Sequence, residues 1–238
     1  KGFYNGLKTL NQMKVSHISA LLDETRSFGD PVKLINNQNL SFQGSIVLGM
    51  GFVLEKSEAI ALLDSNPKNA DVIFPYINGE DLLSRPDQSP SRYVINFGEM
   101  SQDQAQKYVD CFKIVKENVY PERIKKDGKK YPRMVYEWWK FWNFRSELYY
   151  SVKSLSRVLL RTRVTKTHAL VFVEKNIIFS DATVVLAFED FANFSILQSS
   201  IHEYWAWKYG STLKSDLRYS PTDCFETFPF PSKVSSLS

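Results

Sequence analysis

The stretch that most constrains the fold is the aromatic segment at residues 191–231, FANFSILQSSIHEYWAWKYGSTLKSDLRYSPTDCFETFPFP. Its apolar side chains recur with the period of an α-helix, at Phe194, Leu197, Ile201, Tyr204 and Trp205. This spacing predicts a long helix with a buried apolar stripe, and Gly210 stands where a left-handed C-terminal cap is expected. The rest of the chain is therefore expected to pack against this helix.

Composition places the chain among globular proteins. Of its 238 residues, 43% are hydrophobic and 14% are aromatic, which is enough for a packed core. The net charge of +4 permits a polyanionic partner without requiring one. The two cysteines, Cys111 and Cys224, are too few and too far apart for a zinc site or a disulfide framework, which predicts a reducing cytoplasm.

Both ends of the sequence predict a piece of a longer protein. The chain begins with Lys1 rather than Met, and it ends in the serine-rich segment 232–238. No apolar run reaches the roughly 20 residues that span a bilayer, and no signal-peptide pattern opens the chain. The expected location is cytoplasmic.

The patterns along the chain predict a mixture of strands and helices. Strand patterns occupy residues 42–55 (a pair interrupted by glycines), 92–97, 157–164, 169–174 and 183–188. Helices are expected after Ser57 and Ser101, and an aromatic helix or helix pair is expected over 135–155. The predicted fold class is therefore α/β (α+β), with a mixed, largely antiparallel twisted sheet or sheets and packed helices.

Catalytic motifs are scarce. Gly49-Met50-Gly51 resembles the start of a nucleotide or S-adenosylmethionine loop, but the pattern after it continues as a strand, which favours a β-turn. Asp127-Gly128-Lys129 has the acid-x-Lys spacing of a metal-dependent nuclease, yet it lies in a lysine-rich loop. No Asn-Pro-Pro-Tyr tetrapeptide for adenine methylation occurs. Metal-ligand spacing is absent around the histidines, His17, His168 and His202. Together these observations favour a binding role.

Basic residues form two groups. The first follows a predicted strand, whose alternation places three arginines on one face: Arg157, Arg161 and Arg163. It is extended by Lys153, Lys166 and His168. The second is the loop at 121–133, PERIKKDGKKYPR, which carries Arg123, Lys125, Lys126, Lys129, Lys130 and Arg133. Arginines can fork onto phosphates or guanine edges, and lysines contact the duplex backbone, although a solvated strand face explains these residues equally well.

Seven segments resemble one protein family in the same order: SFQGSIVLGMGF, PYINGEDL, VYPER, WWKF, RVTKTHALVFV, LQSSIHEYWA and RYSPTDCFETFPFP. They are similar to the target-recognition domain of MmeI-like fused DNA methyltransferases. These are the bacterial type II subclass G restriction-modification enzymes and related single-chain methyltransferases. The similarity extends from about Ser41 to Pro231.

The resemblance implies a division of labour within a longer parent protein. A methyltransferase domain that uses S-adenosylmethionine and modifies adenine at N6 is expected upstream of Lys1, in some members with a nuclease further upstream. The present chain is expected to choose the DNA sequence, without catalysis or a cofactor of its own. Its expected partners are double-stranded DNA and the upstream domain of the same chain.

The resemblance also suggests a layout. A lead-in covers residues 1–40, a target-recognition domain covers 41–231 and a tail covers 232–238. Within the domain, 41–120 and 134–231 are candidate subregions joined by the basic loop at 121–133.

Individual roles cannot be carried over, because base-reading residues differ between members of the family. Charge and predicted geometry instead nominate four base-reading residues, Arg161, Arg163, Lys166 and His168. The predicted phosphate contacts are Arg123, Lys125, Lys126, Lys129, Lys130, Arg133, Lys153 and Arg157. Two other hypotheses stay open: a stand-alone metal-dependent nuclease using Asp127 and Lys129, and a protein-interaction module whose aromatic patch docks a partner subunit.

Overall fold

A computed structural model of the chain describes residues 9–15 and 31–231. The chain divides into two compact units, residues 1–32 and residues 33–238. In the first unit, β1 (Thr9–Leu10) pairs antiparallel with β2 (Met13–Lys14). The serine-rich tail and most of the predicted lead-in lie outside the described residues.

The described strands of the larger unit are β3 (Ser41–Gln43), β4 (Val53–Glu55), β5 (Ile73–Ile77), β6 (Arg92–Ile95), β7 (Arg157–Thr162), β8 (Val164–Thr165), β9 (Val171–Glu174), β10 (Ile178–Phe179), β11 (Thr183–Leu186), β12 (Ser211–Leu213) and β13 (Asp216–Arg218). Its α-helices are α1 (Lys56–Ser65), α2 (Gly79–Ser84), α3 (Gln102–Ala105), α4 (Val109–Asn118), α5 (Tyr120–Arg123), α6 (Pro132–Tyr136), α7 (Ser146–Ser151), α8 (Phe191–Gln198) and α9 (Ser200–Tyr209). Shorter 3₁₀ turns occupy Ile35–Asn37, Met50–Phe52 and Pro67–Asp71, and a π-helical turn covers Pro221–Phe225.

Two four-stranded sheets form the centre of this unit. One has the order β10-β5-β6-β4 and the other has the order β3-β11-β7-β9. All pairings in them are antiparallel except that of β10 with β5. Because β10 comes from the C-terminal half and β3 from the N-terminal half, the two halves of the chain exchange a strand, and each sheet contains strands from both.

The mixed, largely antiparallel fold class predicted from the sequence is confirmed. The strands expected near 157–164, 169–174 and 183–188 are present as β7, β9 and β11. The prediction that residues 42–55 form paired strands is wrong, since β3 and β4 lie in different sheets. The reason is tertiary: the backbone N–H groups of Gly44 and Ser45 donate to the carbonyls of Thr183 and Phe179 instead of to a neighbouring strand.

Buried side chains form three packed clusters. The first lies against β4, β6 and α4 and includes Phe52, Val94 and Phe112. The second combines Ile77 and Phe179 of one sheet with Leu160 and Val185 of the other. The third packs the opposite face of β7 and β11 against α8 and α9, through Leu159, Val184, Leu186, Leu197 and Ala206. Strand β7 is therefore covered on both of its faces, and each fully buried leucine contributes about 1.5–3 kcal/mol.

The predicted long helix of the aromatic segment is two helices. Ser199 has extended backbone angles (φ −68°, ψ 154°) and ends α8, and its side chain then caps α9 by accepting a hydrogen bond from the N–H of His202. Because of this break, the side of α9 that faces the core differs from the side that one continuous helix would bury. Ile201 and Tyr204, predicted to be buried, are 73% and 69% exposed. Gly210 is extended (φ −72°, ψ 179°), so the predicted left-handed cap is also wrong.

Two other predicted helices are also interrupted. Ser101 begins the expected helix through a reciprocal pair of hydrogen bonds with Gln104, but the helix stops at α3 and resumes as α4. The segment 135–155 contains the end of α6 and all of α7, with non-helical chain between them. In that interval Trp138 packs on the rings of Phe112 and Tyr120, so the aromatic side chains of this segment contribute to the core.

In residues 9–15 and 31–231, no helix has the length and apolarity needed to cross a membrane.

Gly44 provides a test of the junction between the sheets. A Cβ built on Gly44 would overlap the backbone carbonyls of Ser180 and Phe179, which are held in place by both sheets. Gly44→Ala is expected to lower the free energy of unfolding by about 1–3 kcal/mol, because the backbone must shift. Gly128→Ala is the control, since the atoms nearest to its Cβ belong to the exposed side chain of Tyr136, which can move aside, and a change within about 0.5 kcal/mol is expected. Urea denaturation of both variants measures the difference, and equal stabilities would contradict the prediction.

Candidate nucleic-acid interface

The most exposed sheet of the larger unit has three strands in the order β12-β13-β8, and its hairpin β12–β13 forms an exposed ribbon. The ribbon turns at Lys214 and Ser215, where Lys214 adopts a left-handed conformation (φ 57°). Antiparallel pairing places Ser211 opposite Arg218 and Leu213 opposite Asp216. All three residues of β12 are exposed. A two-stranded ribbon of this kind is narrow enough to enter the major groove of DNA.

The two faces of the ribbon differ in chemistry. Leu217 is buried in the core and lies beside the buried Thr165 of β8. Because alternate residues of a strand point to opposite faces, Asp216 and Arg218 lie on the outward face. Arg218 is exposed, and Asp216 is half-buried. The outward face thus offers a guanidinium donor and a carboxylate acceptor two residues apart.

Arg163, a predicted base-reading residue, lies beside this ribbon. Its carbonyl accepts a hydrogen bond from the N–H of Tyr219, the residue that follows Arg218. Its guanidinium Nη1 donates to the carbonyl of Asp181 at 3.4 Å and remains half-exposed. Burial lowers the pKa of Arg163, and the positive charges of Arg218 and Arg145 lower it further. The Asp181 carboxylate opposes this shift, so Arg163 lies among two arginines and one acidic group. The predicted Lys166 is exposed on the segment that leaves β8.

The structure places two of the predicted base-reading residues in the core. Arg161 is 1% exposed and His168 is 7% exposed. The alternation of side chains along a strand correctly predicted that Arg161 and Val158 lie on opposite faces of β7. However, α8, α9 and the segment after β13 cover the face that carries Arg161. A base edge has no access to either side chain in this fold, and neither is retained as a base-reading candidate.

Arg161 and His168 are hydrogen-bonded to each other. Nη1 of Arg161 lies 3.0 Å from Nδ1 of His168, and Nε2 of the same ring lies 2.7 Å from the carbonyl of Leu197. A carbonyl only accepts and a guanidinium only donates, so His168 carries its proton on Nε2 and accepts through Nδ1. Burial and the charge of Arg161 lower the pKa of His168, which keeps this neutral tautomer.

The same cluster continues to Tyr219 and His202. The guanidinium carbon of Arg161 lies 4.0 Å from the centre of the Tyr219 ring, whose hydroxyl is 2.9 Å from Nε2 of His202. Burial raises the pKa of the Tyr219 hydroxyl. Burial lowers the pKa of His202 to about 3, and the nearby Arg161 and the imidazole of His168, which would repel a second positive charge when protonated, act in the same direction. This buried cluster of Arg161, His168, His202 and Tyr219 is therefore one cation held among neutral polar groups.

Arg123, a predicted phosphate contact, is also a buried structural residue. Its Nη1 donates to the carbonyls of Trp138 and Lys140, at 3.0 and 2.5 Å. Its Nη2 donates to the carbonyls of Val47 and Leu48, at 3.1 and 3.3 Å. Burial lowers the pKa of Arg123 to about 10, and both of its Nη groups are directed at backbone carbonyls rather than at solvent. The prediction is wrong because this loop residue lies at the end of α5 and points into the core.

The remaining predicted phosphate contacts divide by accessibility. Lys125, Lys126, Lys129, Lys130 and Lys153 are exposed. Arg133 forms ion pairs with Glu99 and Glu137. Arg157 donates to the carbonyl of Glu189 and stacks on the rings of Phe172 and Phe191. Four lysines of the loop at 121–133 therefore form the most accessible positive segment among the predicted contacts, and Arg133 and Arg157 are already engaged.

The structure gives the catalytic alternatives no support. The carboxylate of Asp127 accepts a hydrogen bond from the N–H of Lys129 and so closes a turn. In the part of the chain that the structure describes, His, Cys, Asp and Glu form no group of three that could hold a metal ion. Met50–Phe52 is a 3₁₀ turn that leads directly into β4. It lacks the strand-loop-helix arrangement of a phosphate- or methyl-donor-binding loop, so these residues do not fit S-adenosylmethionine.

Asp216, Arg218 and Arg145 are candidates that only the structure brings forward. The signal for the ribbon was present as two short segments, STL and DLR, separated by the pair Lys214-Ser215. No local pattern marks Arg145, which lies near Arg163 only because of the tertiary fold.

A family model and a solved structure are similar to this chain. Residues 31–232 match the family described as MmeI, target recognition domain. The fold is similar to that of the type IIL restriction-modification enzyme MmeI solved in complex with DNA, with a TM-score of 0.71 and 18% sequence identity. The match covers 92% of this chain but only 29% of the length of the MmeI chain. A comparison with individually curated proteins gives no match.

The depressed pKa of His202 predicts acid sensitivity. An unfolded histidine titrates near pH 6.5, whereas folded His202 titrates at about 3. Between these values the unfolded chain binds a proton that the folded chain does not, so the free energy of unfolding falls as the pH drops. His202 alone is expected to remove about 2 kcal/mol between pH 7 and pH 5. Urea denaturation at both pH values tests this, and His202→Gln should show a smaller loss than the wild type. Equal losses would contradict it.

The role of Arg123 is tested by stability. Arg123→Met leaves the carbonyls of Val47, Leu48, Trp138 and Lys140 without their donor. A loss of about 3 kcal/mol or more in the free energy of unfolding is expected. Lys126→Met is the matched control because Lys126 is exposed in the same loop, and it should change stability by less than about 0.5 kcal/mol. Similar denaturation midpoints for the two variants would show that Arg123 is not structural.

Proposed function

The chain belongs to the MmeI target recognition domain family, and from that premise we propose that it selects the DNA sequence on which a longer restriction-modification protein acts. The observation that carries this proposal is the outward face of β12–β13. It presents Arg218 and Asp216 on an exposed ribbon, with Arg163 beside it. The MmeI enzyme of similar fold was solved in complex with DNA, which supports double-stranded DNA as the ligand.

Base selection follows from the donors and acceptors of the ribbon. In the major groove, guanine offers two acceptors, O6 and N7, that match the two parallel N–H groups of a guanidinium. Arg218 has the exposure to make this contact, and Arg163 and Lys166 extend the donor surface. Asp216 can accept from the N4 amino group of cytosine. Each good bidentate contact discriminates against the wrong base by about 1–3 kcal/mol.

Affinity that does not depend on sequence comes from the lysine loop. Lys125, Lys126, Lys129 and Lys130 are exposed. Each lysine that neutralises a phosphate releases condensed counterions, so the binding constant falls as the salt concentration rises. Because phosphates are the same at every base pair, these contacts hold the duplex in place and leave the selection to the ribbon.

The proposal extends to the parent protein. There, a separate part of the polypeptide would hold S-adenosylmethionine and transfer its methyl group to adenine N6. This chain spans 29% of the length of the MmeI chain, which leaves room for such a domain in a protein of that kind. The residues of the present chain supply sequence choice and orientation of the duplex.

One observation favours a second role in protein contact. Ile201 and Tyr204 lie three residues apart on α9 and are largely exposed. A contact through apolar side chains would be insensitive to salt, whereas DNA binding would weaken as salt increases. Affinities for the partner subunit and for DNA, each measured at several salt concentrations, therefore separate the two roles.

Substitutions on the ribbon and on the loop should have different effects. Arg218→Ala and Arg163→Ala are each expected to relax base preference at one position of the bound site, by about 1–3 kcal/mol. Lys125→Ala with Lys126→Ala is expected to weaken binding to all sequences alike, and to lower the slope of log K against log salt by about 0.9 for each lost phosphate contact. Lys116→Ala, an exposed lysine at the end of α4, is the control.

Selection from a random duplex library with the full-length protein gives the preferred sequence of each variant. Fluorescence anisotropy at several salt concentrations gives the affinities. If Arg218→Ala and Arg163→Ala both retain the wild-type preference, the ribbon is not the reading surface. If the wild type shows no preference at all, the proposed function is wrong.

A further inference from the structure

We propose that Arg161 is a positioning residue for base reading, which acts from the core by fixing the segments that carry Arg163, Lys166 and Arg218. This inference rests on the proposed function. Arg161 is 1% exposed, so its effect on DNA must pass through the residues that surround it.

Arg161 makes three kinds of contact, each with a different segment. Its Nε lies 3.3 Å from the carbonyl of Thr162, which precedes Arg163. Its Nη1 donates to Nδ1 of His168, two residues after Lys166. Its guanidinium carbon lies over the ring of Tyr219, the residue after Arg218, at 4.0 Å from the ring centre. One rigid, planar group therefore contacts residues one position away from Arg163 and Arg218 and two positions away from Lys166.

The segments that Arg161 contacts are themselves anchored to the helices. The ring of His168 donates to the carbonyl of Leu197 at the end of α8. The side chain of Gln198 donates to the carbonyl of His168 and accepts from the N–H of Leu170. On the other side, the Tyr219 hydroxyl meets His202 of α9. The reading segments and the two helices thus share one hydrogen-bonded cluster with Arg161 at its centre.

The charge of Arg161 is poorly explained by stability alone. Within the described residues no carboxylate lies within 4.0 Å of its guanidinium, and Nη2 has no hydrogen-bond partner. Burying an unpaired cation is costly, and packed apolar side chains of similar volume often replace buried ionic groups without loss of stability. A guanidinium nevertheless fixes the angles of its neighbours, because its donors lie in one rigid plane. Orientation is the property that an apolar residue could not replace.

A matched pair of variants tests the inference. Arg161→Met keeps an unbranched side chain in the core but removes the planar donor. Arg157→Met is the control: Arg157 lies on the same face of the same strand and also stacks on aromatic rings, those of Phe172 and Phe191, but it has no contact with the cluster. The full-length protein is used, and Arg161→Lys serves as a second variant that retains the charge.

Three measurements are made on each variant: the thermal midpoint, the affinity ratio between the selected duplex and a scrambled duplex, and the salt dependence of binding to the scrambled duplex. Arg161→Met and Arg161→Lys are expected to remain folded and to lower the affinity ratio about tenfold or more. The salt dependence should not change, because the phosphate contacts are elsewhere. Arg157→Met should keep the ratio within about twofold of the wild type.

The outcomes separate this inference from the proposed function. A wild-type affinity ratio in folded Arg161→Met or Arg161→Lys overturns the inference and leaves the function standing. Loss of folding in both variants also overturns it, because Arg161 would then be a stability residue. A wild type that does not prefer any duplex overturns the proposed function and the inference with it.

Discussion

The larger unit depends most on the segment at residues 178–186, which contributes one strand to each of the two four-stranded sheets. Its first strand pairs with β5, and its second strand pairs with β7 and β3. Between them, the carbonyls of Phe179 and Thr183 accept from Ser45 and Gly44, where the absence of a Cβ allows the chains to approach closely. The N–H of Arg163 donates to the carbonyl of Ala182 in the same segment. The segment that joins the sheets therefore also fixes the backbone position of Arg163 in the proposed reading surface.

Two arginines are used inside this scaffold as multiple donors. Arg123 joins carbonyls from segments that are about 75 and 17 residues away from it in sequence. Arg161 joins a carbonyl, a histidine and an aromatic ring. Both positions favour arginine over lysine, because a planar guanidinium has five N–H donors in fixed directions and is more weakly hydrated than an ammonium group. Each converts a costly buried charge into several directed contacts between segments that are distant in sequence.

The exposed side chains of the β12–β13 ribbon contribute little to the stability of the domain. The residues of β12 are exposed, and the buried residue of β13 is Leu217. Substitutions of exposed residues usually change stability by less than about 0.5 kcal/mol. The side chains of Asp216 and Arg218 can therefore differ without unfolding the domain, whereas the buried cluster beneath them cannot change so freely. This arrangement suits a domain whose chemical task is to discriminate among DNA sequences.

The sequence by itself determined the local structure: the strands β7, β9 and β11, the cap at Ser101, the fold class and the family were all predicted from residue patterns. It also identified the accessible lysines of the 121–133 loop as a basic segment. Only the tertiary structure decided which basic residues face solvent. Strand parity assigns a side chain to a face, but whether that face is covered depends on residues far away in sequence, such as Leu197 and Tyr219 over Arg161. The break at Ser199 and the nearness of Arg145 to Arg163 were also decided by tertiary packing, which the periodicity of apolar residues along the sequence does not show.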